Sequence, residues 1–186
     1  RSRRHPSLAT DAQAWRGPCG PPASHGPAPP SLIPVVDIQP VAEADLDELL
    51  PLVRGYCEFY GTSPSDEALL ELSRWLIAHP DEGVQTLARN DDGAAIGFAS
   101  VYWTWRTMHA ARVAVLEDVF VAPGARGSGA AEALISDALA RAREHGARDL
   151  TWQTAKTNER AQKVYARIGS EPDDRWLDYS LPAGAS

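Results

Sequence analysis

Residues 119–131 read Val119-Phe-Val-Ala-Pro-Gly-Ala-Arg-Gly-Ser-Gly-Ala-Ala131: an apolar strand end, a turn of arginine and small residues, and the start of an alanine- and leucine-rich helix. The combination suits a phosphate. Gly127, Ser128, Gly129, Ala130 and Ala131 are small enough for backbone N–H groups to close on an anion. The helix that follows turns its partly positive end to the same point, and Arg126 adds a formal charge. Downstream, Ala131, Leu134, Ile135, Ala138, Leu139 and Ala142 recur in steps of three and one, which is one face of a helix, and Gly146 marks its stop. Asp149 to Thr154 then reads as a strand. The order strand, turn, helix, strand from Leu116 to Thr154 predicts a parallel crossover with the turn at the carboxyl end of its first strand.

Toward the N-terminus, Ile33 to Pro40 predicts a strand, and Glu43 to Tyr60 predicts a helix, apolar at Leu46, Leu49, Leu50 and Val53 and ended by Gly61. Ser65 is the expected N-cap of a second helix whose buried face would be Leu69, Leu70, Leu72, Trp75 and Leu76. Gly83 to Ala88, Ala94 to Trp105 and Arg112 to Val121 predict three strands, the first two joined by the turn signal Asn90-Asp-Asp-Gly93. Beyond the crossover, Glu159 to Ile168 predicts a short helix ended by Gly169, and Trp176 to Leu181 a last strand. Residues 1–33 hold seven of the chain's 15 prolines and no sustained period. They are expected to form a disordered extension, with residues 34–186 as a single domain.

Composition narrows the function classes. The chain of 186 residues has a net charge of −7, and its first 33 residues are basic, leaving about −10 on the remainder. A nucleic-acid binder needs the opposite balance, whereas an acidic body tolerates or attracts cationic small molecules. Cys19 and Cys57 stand apart, without the spacing of a disulfide framework or a zinc site, so no metal is expected. No apolar run approaches the roughly 20 residues of a membrane span, and the basic N-terminus lacks the apolar centre of a signal peptide. No membrane partner is indicated, and the cytoplasm is the expected location.

Three phosphate ligands compete for the turn. A nucleoside triphosphate loop needs Lys-Ser or Lys-Thr after its last glycine, and neither follows Gly124 or Gly129. A dinucleotide fingerprint needs an acid near the end of the next strand to hold a ribose, and Asp149 sits at the start of that strand instead. The third pattern is a family resemblance. Arg126-Gly-Ser-Gly129-Ala-Ala131 resembles the [Arg/Gln]-x-x-Gly-x-[Gly/Ala] pyrophosphate loop of the GNAT superfamily of acetyl-CoA-dependent N-acetyltransferases, with Ala131 in place of the more frequent glycine. Asn158-Glu-Arg-Ala161-Gln-Lys-Val-Tyr165-Ala-Arg-Ile-Gly169 resembles that family's Asn-x-x-Ala-x-x-x-Tyr-x-x-x-Gly segment, and Leu116 to Val121 its central strand. The Glu117-Asp118 pair on that strand is similar to the diamine and polyamine acetyltransferase branch.

The resemblance implies a mixed α/β fold: a mostly antiparallel central sheet with one splayed parallel strand pair, flanked by about four helices. Acetyl-CoA would enter between the splayed strands. Backbone groups of Val119, Phe120 and Val121 would meet its pantetheine arm, Arg126 to Ala131 its pyrophosphate, Asn158 the arm from the other side, and Tyr165 the thioester sulfur. The family often dimerises, so a homodimer is an expectation.

Acetyl transfer to an amine needs a neutral nitrogen, a donor to the developing oxyanion, and a proton for the departing thiolate. The Tyr165 phenol, with an ordinary pKa near 10, could protonate a thiolate of pKa about 8.5. Glu117 is the candidate to accept the amine proton, directly or through water, and also reads as a plain solvated acid. Adjacent strand residues face opposite ways, so Glu117 and Asp118 should not share a site unless a bulge intervenes. By the same family resemblance, Tyr56, Glu58, Phe59 and Tyr60 with Trp103 and Trp105 would wall the acceptor side, where aromatics plus acid suit a cation. Trp103 and Trp105 equally suit a core or dimer contact. The chemistry favours a primary amine, small or polyamine-like, as acceptor; a peptide acceptor and a non-catalytic acyl-CoA-binding module are the alternatives.

Overall fold

Ala95–Arg106 and Ala111–Val121 are apolar enough along their length to be buried on both faces, and they pair antiparallel at the centre of the fold. A computed structural model describes residues 36–183. The extension expected over residues 1–33, Cys19 and the beginning of the first predicted strand lie outside the described residues. Along the described chain run β1 (Asp37–Pro40), α1 (Leu46–Phe59), α2 (Asp66–Ala78), β2 (Gly83–Arg89), β3 (Ala95–Arg106), β4 (Ala111–Val121), α3 (Ala130–Glu144), β5 (Leu150–Thr151) and α4 (Glu159–Arg167). The five strands lie side by side in chain order, antiparallel through β4, with β5 parallel to β4. A mostly antiparallel sheet with one parallel pair and four α-helices is thus the observed architecture.

Local signals place most of these elements. The β2–β3 turn closes through Gly93 N–H to Asn90 O at 2.8 Å, and Asn90 Oδ1 accepts from Ala94 N–H at 2.9 Å. Ser65 caps α2 by accepting from Ala68 N–H at 3.2 Å. Gly97 lets β3 approach β4 closely, since a Cβ there would lie 2.6 Å from Phe120 O.

The two faces of the sheet carry two cores. On one face, α3 lays Leu134, Ile135 and Ala138 against Ala99, Val101, Leu116 and Val121. On the other, α1 and α2 bring Leu49, Leu52 and Leu69 onto Leu87, Phe98 and Phe120. Burial at this scale contributes roughly 1.5–3 kcal/mol per large side chain and fixes the sheet between its helices.

Three expectations need correction. The buried face of α2 is Leu69, Ser73 and Leu76, while Leu72 and Trp75 are 44% and 50% exposed. Ser73 tolerates burial because its Oγ donates to Leu69 O, and Trp75 stacks on His79 while its Nε1 donates to Glu82 Oε2 at 2.9 Å. The strand expected over Asp149 to Thr154 is reduced to Leu150–Thr151. Trp176 to Leu181 forms no strand: so short a β5 offers little ladder to a further neighbour, and Trp176, Leu177, Tyr179 and Leu181 are exposed. Among the described residues no helix is long and apolar enough to cross a membrane, and no group of three His, Cys, Asp or Glu side chains could hold a metal.

Candidate active site

The site begins where β4 and β5 part. Their parallel pairing covers Ala114 with Leu150 and Val115 with Thr151, and then stops. Beyond that point β4 continues for six residues with β3 on one side and no strand on the other. Ala122 N–H donates to Ile96 O at 2.8 Å, and Phe120 stands opposite Phe98. Alternation along an antiparallel strand therefore turns the peptide groups of Val119 and Val121 to the open side. Two residues that the resemblance gives a backbone contact with an extended ligand thus lie on an edge with no strand beside it, where only the Val121 carbonyl is taken, by Arg126 Nε.

The turn after β4 closes one end of this edge. Gly127 and Gly129 have φ of +90° and +87°, a region that other residues enter only with strain, and a Cβ at Gly127 would meet nothing within 4 Å. Those glycines serve backbone shape, and the space beside Gly127 is open. α3 starts at Ala130 with its first N–H groups facing the turn, and Ser128 Oγ accepts from Ala130 N–H at 3.4 Å. Arg126 folds back, Nε donating to Val121 O at 3.2 Å with its guanidinium 5.9 Å from the Phe120 ring.

α4 forms the opposite wall. Asn158 caps it, its Oδ1 accepting from Ala161 N–H at 3.2 Å, which leaves the side-chain amide as a free donor. Two turns on, Tyr165 meets Trp152 edge to face at 5.4 Å. An open cleft brings together Val119, Phe120, Val121, Arg126, Ala131, Asn158 and Tyr165, with Tyr56 and Tyr60 at its α1 side. Burial pushes the Tyr165 phenol above its ordinary pKa, the nearby Thr154 side chain opposing and Tyr60 adding to the rise. The phenol is therefore protonated throughout the neutral range.

A bulge settles the relation of the two adjacent acids. Ser100 stands opposite Asp118 and Val101 opposite Leu116, so Glu117 is an extra residue in β4 with no partner in β3. Burial, then Asp118, and more weakly Glu117 raise the pKa of both Tyr56 and Tyr102, so the two carboxylates lie on the α1 and α2 side together with these phenols. Glu117 is exposed and Asp118 half-buried. Tyr56 also meets Tyr60 at 5.0 Å, Phe98 at 5.9 Å and Phe120 at 6.4 Å, each edge to face.

Three residues expected on the acceptor side lie elsewhere. Trp103 is on the α3 face, stacked on His145 at 4.1 Å with its Nε1 donating to Pro80 O. Trp105, two residues on, is 68% exposed beneath Arg112. Glu58 is exposed near Arg54 and does not line the cleft. The reading by sequence overlooked Tyr102, which alternation from Phe98 could have placed. It also overlooked Arg160, Lys163 and Arg167, whose spacing along α4 puts them on one helical face toward the glycine turn.

A splayed strand pair, a glycine turn at a helix start and a capping asparagine before a half-buried tyrosine coincide with a family match. The model of the acetyltransferase (GNAT) family matches residues 47–169. The chain belongs to the GNAT acetyltransferase family. A curated relative, the uncharacterised N-acetyltransferase YhfO of Bacillus subtilis, is 30% identical over 146 residues, covering 78% of this chain and 97% of the relative. Among solved GNAT-like folds, the aminoglycoside N-acetyltransferase AAC(6')-Iy in complex with CoA is 26% identical, with a TM-score of 0.67 over 78% of this chain and 94% of its own. A ribosomal-protein-alanine N-acetyltransferase from Brucella melitensis biovar Abortus 2308 is also 26% identical, with a TM-score of 0.65 over 80% and 99%. This GNAT protein is an acetyl-CoA-dependent N-acetyltransferase. The family names its donor, and two equally similar neighbours with unlike acceptors leave the acceptor to the site itself.

Proposed function

We propose that this GNAT enzyme acetylates a small, cationic primary amine, polyamine-like in charge, by direct attack on acetyl-CoA. The single observation that carries the acceptor reading is the bulge at Glu117, which gathers two carboxylates and the phenols of Tyr56 and Tyr102 on one side of β4. Acids with aromatic walls suit a cation. On the donor side, the free edge of Val119 and Val121 has the form to pair with the amide-bearing pantetheine arm, and Phe120 lines the same cleft. The Asn158 amide is available to that arm, and Arg126 to Ala131 suit the pyrophosphate.

Each proton then has a destination. Glu117, directly or through water, takes the proton of the acceptor ammonium; the nitrogen bonds to the acetyl carbon as the carbon–sulfur bond breaks. A backbone N–H of residues 119–121 donates to the developing oxyanion, Tyr165 gives its proton to the departing thiolate, and the second proton, shed by the newly bonded nitrogen, returns through water to the phenolate. Tyr56 and Tyr60 line the approach, and Glu58 and Trp103 have no part in it.

Release of free thiol from acetyl-CoA, measured across polyamines, aminoglycosides, amino acids and peptides, tests the acceptor. Turnover with small polycationic amines is the expected result. Turnover confined to peptides would replace the small-amine reading with a protein acceptor. Coenzyme A binding without thiol release from any amine would overturn the proposed chemistry.

A further inference from the structure

Beside the glycine turn, a second cavity is lined by Arg126, Gly127, Gly129, Arg160, Lys163 and Arg167. Its charge is out of keeping with the chain, whose net charge is −7. Arg160, Lys163 and Arg167 follow one another at i, i+3 and i+7, so they form a ridge about 10 Å long on one face of α4. Arg167 is bound by Glu132 through its Nε and Nη2, and Glu132 is the one acid lining this cavity. Among the described residues, Arg126, Arg160 and Lys163 make no ion pair. Three cations facing one space whose single lining carboxylate is already bound to Arg167 repel one another unless an anion joins them.

The anion must exceed a pyrophosphate. A pyrophosphate diester carries two negative charges, and the turn's N–H groups with Arg126 answer them. Arg160 and Lys163 remain, carried by α4 on the other wall of the cavity, while Arg126 is held on Val121 O. Two spare cations match a phosphate monoester, which carries a charge of about −1.5 to −2 at neutral pH.

We propose that Arg160 and Lys163 form a separate monoester subsite that takes the 3'-phosphate of the donor's ribose, so the enzyme distinguishes coenzyme A from its 3'-dephospho form. The proposal rests on the reading of the cleft as the acetyl-CoA site. Arg167, held by Glu132, ties this ridge to the start of α3 and fixes its distance from the turn.

Isothermal titration of the full chain with coenzyme A and with 3'-dephospho-coenzyme A tests it, on wild type and on an Arg160→Gln/Lys163→Gln variant at two salt concentrations. Both side chains are exposed, so the variant is expected to fold, and its melting temperature checks that. Wild type should bind coenzyme A roughly 10-fold or more tightly than the dephospho form, and the variant should bring the ratio toward one with a shallower salt dependence. Equal wild-type affinity for both ligands would overturn the subsite. So would a variant that weakens both ligands alike and keeps the ratio. If neither ligand binds wild type, the acetyl-CoA reading of the cleft fails, an outcome distinct from the other two.

Discussion

Asp118 stands directly opposite Ser100 across the β3–β4 pairing, and the next rung joins Val101 to Leu116, which leaves Glu117 outside the ladder. On an unbroken strand, one of the two acids would face α3 and be lost to the acceptor side. The bulge turns a sequence pair into a spatial pair. Ser100 is fully buried there and accepts from Gln85 Nε2 at 3.2 Å, so the bulge is anchored from β2 as well.

Glu117→Gln should lower kcat/KM by about 10–100-fold at pH 7, with the deficit shrinking as pH rises toward the acceptor's own pKa near 10.4. An amine that is already neutral needs no acceptor for its proton. Steady-state rates from pH 7 to pH 10 check this, and a deficit constant across the range would remove Glu117 from the proton path.

Tyr165→Phe should reduce kcat by roughly 100-fold or more while leaving coenzyme A affinity within about threefold, because the phenol is needed only as the thiolate departs. Pre-steady-state thiol release paired with calorimetry separates the two effects. A large affinity loss with little change in kcat would make Tyr165 a wall of the cleft instead.

The three raised phenols set an alkaline limit. Burial comes first in raising Tyr56, Tyr102 and Tyr165 above the ordinary value of about 10. In the unfolded chain they ionise near 10 while the folded protein keeps their protons, so their contribution is complete below that pH and declines as pH rises through it. Urea midpoints should fall between pH 9.5 and about 11, and Tyr102→Phe should flatten the decline.

Gly97→Ala should destabilise the fold by about 2–3 kcal/mol, because its Cβ would sit 2.6 Å from Phe120 O, and backbone on a central strand yields little. Chemical denaturation measures the loss. A near-neutral result would mean that β3 and β4 can move apart without disturbing the site.

Asn158→Ala removes the cap of a nine-residue helix, at a cost of about 1 kcal/mol. If the side-chain amide also meets the pantetheine arm, acetyl-CoA KM should rise more than Asn158→Asp raises it at equal stability, since aspartate restores the cap and supplies no N–H donor.

Much of this was legible in the sequence because it is local. The α3 stripe, the Asn90–Gly93 turn, the Ser65 cap and the glycine turn each depend on neighbours within a few residues, and each is where the spacing puts it except Leu139, which sits at the exposed margin of the stripe. What escaped depends on partners far along the chain. Nothing in Leu116-Glu-Asp-Val119 announces a bulge, which arises from registry with β3. Trp103 suits either an acceptor wall or a core contact by sequence, because period 2 tells which residues share a side but not which helix covers it; it lies on the α3 side, stacked on His145. Leu72 and Trp75 are apolar, yet Ser73 takes the inward position because it can return its hydroxyl to Leu69 O. The α4 cations were visible at helical spacing, but only folding sets them beside Arg126.

The two-residue pairing of β4 with β5 also has a consequence for the protein without its donor. Val119 leaves its peptide groups, and Val121 its N–H, facing an open slot at the C-terminal end of β4, where an extended segment of any other polypeptide could add itself as a strand. The cosubstrate would then act as a guard as well as a reagent: while it fills the slot, the edge is closed to other chains. Light scattering at elevated temperature should accordingly show slower aggregation with coenzyme A present, even at concentrations that barely shift the melting midpoint.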